Sequence, residues 1–151
     1  LIITATNYNE CKVRYFSSGE LINPILASSA IPVFFKPIKI DGKIYIDGGI
    51  LNNFPVEPLR LDCDFIIGSS CNHLPDTDSI ESYRSLIERS IIMSINSGMT
   101  VKAAYCDVII EPHGMGATGV FDVKKTEEIY WLAYEAALRK LQTDQKLQQL
   151  L

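Results

Sequence analysis

The sequence predicts a mixed α/β fold in which short strands alternate with helices. Two short apolar runs, Phe65–Ser69 and Val108–Ile110, have the composition of parallel strands covered on both faces. Each precedes a segment with helical spacing of apolar residues, at about 78–95 and about 126–141. Because this alternation is typical of layered α/β proteins, we expect one α/β domain without repeats or linkers.

The first third of the chain contains further predicted elements. Residues 1–6 are β-branched, apolar and bounded by asparagines, which indicates a buried strand followed by a turn. Residues 12–16 alternate between polar and apolar side chains, which indicates a second strand. A short helix is predicted over Ile25–Ala30, with Asn23 as its cap and Pro24 at its first position.

Two Asp-Gly pairs mark the next segment. Asp41-Gly42 lies between Pro37–Ile40 and Lys43–Ile46, and this arrangement predicts a hairpin with a two-residue turn. Asp47-Gly48-Gly49 follows the hairpin, but the adjacent asparagines and Pro55 argue against a returning strand. Asp47 is therefore predicted to end a strand and open a loop.

The composition restricts the classes of function. The 151 residues are 47% apolar and 21% charged, as expected for one globular domain. A net charge of −4 argues against nucleic acid as a partner, because nucleic acids select basic patches. No apolar run reaches the roughly 18 to 20 residues that a membrane-spanning helix needs. We therefore expect a soluble protein.

The cysteines bear on the cellular compartment. The four cysteines are widely spaced and form no C-x-x-C pair, which argues against a metal site. Three of them lie beside the apolar runs, where a free thiol packs as a small hydrophobe. We predict reduced thiols and a cytoplasmic protein. The chain begins at Leu1, within a strand-like stretch and without an initiator Met, so we expect its natural N-terminus to be missing.

Asp47-Gly48-Gly49 is the main candidate site. A carboxylate at the end of a strand can project into a cleft, and two glycines permit unusual φ values and close approach of another backbone. A plain surface turn has the same local composition. A longer pattern favours the functional interpretation: Ala27-Ser-Ser-Ala-Ile-Pro-Val-Phe-Phe35, then the hairpin, then Ile46-Asp-Gly-Gly-Ile-Leu-Asn-Asn-Phe-Pro-Val56.

This pattern resembles the patatin-like phospholipase family, in which an A-S-x-A-x-P-x-x-F run leads through a short hairpin to a D-G-G motif and an N-x-P loop. The resemblance continues more faintly through residues 64–68, 107–112 and 121–122. It implies a three-layer α/β sandwich in which residues 1–151 form the C-terminal part of a single hydrolase domain. It further implies a lipid or other carboxylic ester as substrate, with no metal or cofactor.

The resemblance also implies roles for individual residues. In the family, the Asp of D-G-G is the base for a Ser on a G-x-S-x-G elbow, so Asp47 is the candidate catalytic base. Gly48 and Gly49 would shape its loop, while Asn52 and Asn53 would hold that loop against the sheet. A hydroxyl becomes an effective nucleophile when a base takes its proton. Partial burial would raise the pKa of Asp47 and make it a better base at neutral pH.

The sequence departs from the family pattern in lacking the nucleophile. No Ser has Gly at both −2 and +2, and the glycine-rich oxyanion segment is also not among the 151 residues. Ser28 and Ser29 match the structural A-S-x-A helix and are not expected to replace that nucleophile. We predict an inactive fragment that self-associates through uncovered strand edges and apolar helix faces. Transient contact of the parent enzyme with a membrane surface is compatible with this class.

Two alternatives stay open, and a third motif is rejected. The chain could be a non-catalytic binding or assembly module on the same fold. It could be an enzyme in which Asp47 binds a metal, although the second carboxylate that Mg²⁺ favours is missing nearby. Gly114–Gly119 fits G-x-G-x-x-G, but its predicted helix begins only after Val123, too late for a dinucleotide site. His73 and His113 are predicted to be solvated loop residues.

Overall fold

The computed structural model describes residues 1–71, 76–80, 82–113 and 123–150. It confirms the predicted mixed α/β class. The chain divides into two compact units. The first unit contains Leu1–Pro55 and Ser94–Thr100, and the second contains Val56–Met93 and Val101–Leu151.

The first unit is built on a four-stranded antiparallel sheet with strand order β2-β1-β4-β3. Its strands are β1 Ile3–Asn7, β2 Lys12–Phe16, β3 Ile38–Ile40 and β4 Lys43–Asp47. β1 is paired on both sides, so that Ala5 lies opposite Arg14 of β2 and Asp47 of β4. The predicted strands at the start of the chain are confirmed, and the end of β4 lies beside a central, buried strand.

The predicted hairpin is confirmed. Ile40 lies opposite Lys43, which leaves Asp41 and Gly42 as a two-residue turn. Their φ values are 48° and 79°. Left-handed backbone at both turn positions fits the right-handed twist of the flanking strands, and Asp and Gly adopt it at low cost.

The first unit also contains helix α1, Ile22–Ser28, which packs on the sheet. The prediction that Asn23 caps this helix is wrong, because the Glu20 carboxylate accepts the N–H groups of Ile22 at 2.6 Å and of Asn23 at 3.0 Å. Pro24 fits inside the first turn, where an N–H would have no partner within the helix. Ala27 of α1 is fully buried against the sheet.

The second unit contains a parallel pair of strands, β5 Ile67–Ser69 and β6 Val108–Ile110. This pairing confirms that the two apolar runs form parallel strands. The expected coverage of both faces is wrong for β5, because Ile67 and Ser69 are exposed. Helix α5, Thr126–Thr143, confirms the second predicted helix, and a short helix α6 follows at Gln145–Gln148. A single 3₁₀ turn, Val123–Lys125, precedes α5.

The first predicted helix is α3, Tyr83–Asn96, whose last three residues belong to the first unit; α4 follows at Met99–Ala103. Helix α3 begins several residues later than the predicted start near residue 78, and Ser82 provides its cap. The Ser82 Oγ accepts the N–H of Ser85 at 3.1 Å, and the Ser85 Oγ accepts the N–H of Ser82 at 3.0 Å. This reciprocal pair is a capping box with Ser at both positions.

Several predictions fall on residues outside the described ranges: the position of His73, the Gly114–Gly119 motif and the faint resemblance at residues 121–122. The four cysteines are free thiols. The expected packing role is wrong for Cys63 and Cys71, which are exposed because they lie in segments beside strand β5 rather than in it. None of the described helices is both long and apolar enough to cross a membrane.

Candidate active site

Asp47 lies in a cleft of the first unit. It is the last residue of β4, and its N–H donates to the Ala30 carbonyl at 3.0 Å, just after α1. The cleft has a volume of about 560 Å³. Its wall combines apolar side chains with hydroxyl, amide and carboxyl groups, contributed by β1, α1 and the segment 47–55. Strand pairing and the end of α1 thus fix the backbone that carries the carboxyl group.

The segment after Asp47 is a helical turn rather than the predicted loop. Helix α2 comprises Gly49–Asn52, and the Asn52 N–H donates to the Gly48 carbonyl at 2.8 Å. The Asp47 carboxylate accepts the Gly49 N–H at 2.7 Å. This side-chain bond satisfies a donor that the start of the turn would otherwise leave open, so the chain turns helical at once.

Gly48 is required by close packing and not by an unusual φ. Its φ of −64° and ψ of −31° are accessible to any residue. A Cβ at Gly48, however, would lie 2.3 Å from the Thr4 carbonyl oxygen and 2.8 Å from the Thr4 carbonyl carbon. The expectation of unusual φ values at the two glycines is therefore wrong, while the expected close approach of another backbone is found at Gly48.

Gly49 is crowded by side chains. A Cβ there would lie 2.9 Å from Oδ1 of Asp47, 3.0 Å from Oδ1 of Asn53 and 3.5 Å from the Ile95 side chain. The missing side chain thus leaves room for the hydrogen bond between the Gly49 N–H and Asp47. Both glycines allow the carboxylate to sit close against its surroundings.

Burial raises the pKa of Asp47, and the hydrogen bond from the Gly49 N–H opposes that rise. The direction agrees with the expectation that partial burial raises the pKa of Asp47. Asp47 is the one ionisable side chain among the described residues that line the cleft. Its proton affinity is therefore set by desolvation and by one backbone donor, rather than by a neighbouring charge.

Asn52 and Asn53 connect α2 to other elements of the first unit. Asn52 is buried, and its Nδ2 donates to the Tyr15 hydroxyl on β2 at 2.8 Å. Nδ2 of Asn53 donates to Oδ1 of Asn96 at 3.3 Å. Sequence reasoning missed Tyr15 and Asn96, because no local pattern relates them to α2.

The serines near Asp47 have other roles in the backbone structure. Ser28 lines the cleft, and its carbonyl accepts the Gly48 N–H at 3.4 Å. The Ser29 hydroxyl donates to the Ile25 carbonyl of its own helix at 3.1 Å. These contacts agree with a structural role for the A-S-x-A segment.

In the second unit, a further serine follows the parallel pair of strands. Ser70 is buried, and its hydroxyl donates to the Glu111 carboxylate at 3.2 Å. His113 lies in a turn. In the part of the chain that the structure describes, no three His, Cys, Asp or Glu side chains are grouped as metal ligands.

The residues that line the cleft lie within a segment that is similar to known proteins. Residues 2–60 match the model of the patatin-like phospholipase family. A probable lipid hydrolase of Invertebrate iridescent virus 6 is 40% identical over 62 residues, which are 38% of this chain and 21% of that protein. An uncharacterized NTE family protein of Mycobacterium tuberculosis is 38% identical over 69 residues, 45% of this chain and 19% of that protein.

A longer match extends into the second unit. An uncharacterized protein of Acanthamoeba polyphaga mimivirus is 30% identical over 107 residues, which are 67% of this chain and 36% of that protein. The chain thus spans only about a fifth to a third of the length of these relatives. Residues 2–60 therefore match the patatin-like phospholipase family, and the resemblance found in the sequence is confirmed.

Proposed function

We propose that the chain is the Asp-bearing part of a serine hydrolase that cleaves lipid or other carboxylic esters, with Asp47 as the catalytic base. The observation that carries this proposal is the position of the D-G-G carboxylate. It lies in a cleft, inside the segment that matches the family, and burial raises its pKa. The nucleophilic Ser and its oxyanion donors would lie outside the 151 residues.

The proposed chemistry follows from these contacts. The Gly49 N–H holds Oδ1 of Asp47, so Oδ2 is the oxygen available to take the proton of the serine hydroxyl. The serine oxygen then forms a bond to the ester carbonyl carbon, and collapse of the tetrahedral species breaks the bond to the alcohol. Asp47 returns its proton to the leaving alkoxide. In the second half of the cycle, Asp47 takes a proton from water, whose oxygen forms a bond to the acyl carbon. The bond from that carbon to the serine oxygen then breaks, and Asp47 returns the proton to the serine oxygen.

The raised pKa supports this assignment physically. A carboxylate in water has a pKa of about 4 and binds a proton too weakly to help a serine hydroxyl ionise at neutral pH. Partial burial destabilises the charged form and so increases the affinity of Asp47 for a proton. The hydrogen bond from the Gly49 N–H to Oδ1 of Asp47 opposes this rise in pKa. It therefore favours the ionised form, which a base requires before each turnover.

The remaining parts of the proposal concern the surroundings of the site. Gly48 and Gly49 would shape the segment, and Asn52 and Asn53 would hold α2 against the rest of the first unit; their hydrogen bonds to Tyr15 and Asn96 support this role. Residues 1–151 would be the C-terminal part of one three-layer hydrolase domain. The parent would be a cytoplasmic enzyme, needing neither metal nor cofactor, that contacts membranes transiently.

The test compares ester hydrolysis by the full-length product of the gene with that of two variants. Asp47→Asn should lower kcat by about 10²- to 10⁴-fold, the usual contribution of general-base catalysis. Asp41→Asn is the matched control, since it makes the same chemical change in the hairpin turn, where Asn also accepts a positive φ. It should leave kcat within about twofold.

Two results would contradict the proposal. An Asp47→Asn variant with the kcat of the wild type would exclude Asp47 as the base. A full-length protein that neither hydrolyses esters nor reacts with a fluorophosphonate serine probe would favour the binding or assembly module. The 151-residue chain alone should be inactive in both assays.

A further inference from the structure

Tyr15 lies next to the residue on which Gly48 packs. It belongs to β2 and pairs across the strands with Thr4 of β1. The Thr4 carbonyl is the group that a Cβ at Gly48 would strike. Because directly paired residues of an antiparallel sheet project their side chains on the same face, Tyr15 and Thr4 share one face of the sheet. Helix α2 packs against both β1 and β2.

The Tyr15 hydroxyl is bound to α2 at its last residue. Nδ2 of Asn52 donates to this hydroxyl at 2.8 Å, a well-formed hydrogen bond. The Asn52 side chain is buried, so loss of this acceptor would remove a hydrogen-bond partner from a buried amide. The bond therefore restrains the C-terminal end of α2 against the edge strand.

The N-terminal end of the same turn holds the carboxylate. The Gly49 N–H donates to Oδ1 of Asp47 at 2.7 Å, and the Asn52 N–H donates to the Gly48 carbonyl at 2.8 Å. A single helical turn has too few hydrogen bonds to be stable by itself. The position of α2, and with it the direction of the Gly49 N–H, must therefore depend on contacts with other elements.

We propose that Tyr15 is a positioning residue for Asp47: by accepting a hydrogen bond from Asn52, it fixes α2 so that the Gly49 N–H orients the Asp47 carboxylate. The inference rests on the proposed role of Asp47 as a base. Tyr15 acts through Asn52, Gly48 and Gly49 and has no direct part in the chemistry. The substitution that removes only this acceptor is Tyr15→Phe.

The first measurement is a titration of the Asp47 carboxyl carbon by NMR in the 151-residue chain, which needs no catalytic activity. In Tyr15→Phe the Gly49 hydrogen bond should weaken, so the titration midpoint of Asp47 should rise above that of the wild type. Tyr8→Phe removes the same atom from an exposed side chain of the same unit and should leave the midpoint unchanged. Among the described residues that line the cleft, Asp47 is the one ionisable group. The hydrogen bonds that connect it with β2 include one other titratable group, the Tyr15 phenol.

The second measurement is steady-state hydrolysis by the full-length protein. A misaligned carboxylate should lower kcat by about ten- to a hundredfold, while KM changes by less than about twofold. Asn52→Ala should also raise the titration midpoint of Asp47. The double variant Tyr15→Phe/Asn52→Ala should show less than the sum of the two single effects, because both changes remove the hydrogen bond between Tyr15 and Asn52. Asn52→Ala also provides the same test if Tyr15→Phe fails to fold.

The outcomes separate this inference from the proposed function. An Asp47 midpoint in Tyr15→Phe and Asn52→Ala that equals the wild-type value overturns the positioning role, whether or not the full-length protein is an enzyme. A full-length protein without hydrolysis overturns the proposed function, while a raised midpoint in the variants still supports the coupling of Tyr15 to Asp47. A rise in KM with unchanged kcat would also contradict the positioning role.

Discussion

Gly48→Ala is the substitution for which the structure gives the sharpest expectation. The new Cβ would lie 2.3 Å from the Thr4 carbonyl oxygen, about 1 Å below the shortest ordinary contact, and 3.3 Å from the Ala5 Cα. All the atoms in the way belong to the backbone of β1. Since β1 is paired with β2 on one side and β4 on the other, it cannot shift without disturbing both pairings.

Two opposing effects decide the magnitude. The backbone at Gly48 has αR angles, so Ala would by itself stabilise the protein by about 0.4–1 kcal/mol through the unfolded state. Overpacking costs about 1–3 kcal/mol, and a rigid backbone obstacle places this site at the upper end. The expected net loss is about 2 kcal/mol, or a fall in Tm of about 4–8 °C for a chain of this size.

The assay is thermal unfolding of the 151-residue chain, followed by circular dichroism. Gly98→Ala is the matched control in the same unit, because a Cβ added at Gly98 would meet no atom within 4 Å and the residue has no left-handed φ. Its Tm should stay constant or rise slightly. If Gly48→Ala proved as stable as the wild type, the close packing of the D-G-G segment on Thr4 would be refuted.

Three further predictions concern buried and exposed side chains. Because the folded-state pKa of Asp47 is raised, ionisation of Asp47 lowers the stability of the protein as pH rises through that pKa. Asp47→Asn should therefore raise the Tm at pH 7, and this gain should disappear below the unfolded-state pKa of about 4. An equal Tm difference between variant and wild type at both pH values would contradict the prediction. Tyr45→Ala removes a core ring that packs edge-on against Phe16, and it should lower the free energy of unfolding in urea by about 3–5 kcal/mol. Tyr8 is exposed, so Tyr8→Ala should change this free energy by less than about 0.5 kcal/mol. Similar losses for the two variants would argue against this core. The isolated chain should self-associate on size-exclusion chromatography at micromolar concentration, because large apolar side chains such as Ile22 and Trp131 are exposed; a monomeric elution volume would contradict this.

The sequence by itself determined the elements whose signals are local. Asp41-Gly42 specified a turn that needs two left-handed residues, and the structure has both there. The β-branched runs specified β1 and the parallel pair, because β-branched side chains favour extended backbone. The A-S-x-A and D-G-G patterns identified the family and placed Asp47 at the end of a strand.

The tertiary structure alone decided how the site is held. Tyr15 and Asn52 are 37 residues apart, and Asn53 and Asn96 are 43 apart, so no periodicity or spacing in the sequence relates them. The sequence pattern indicates that Gly48 is a turn residue. The structure shows instead that Gly is required there, because the Thr4 carbonyl occupies the position that a Cβ would take. The segment after Asp47 is a helix for a related reason: a carboxylate fixed by sheet pairing accepts the Gly49 N–H. Local patterns encode conformation, whereas the contacts that hold the Asp47 carboxyl group and α2 depend on which strands become neighbours.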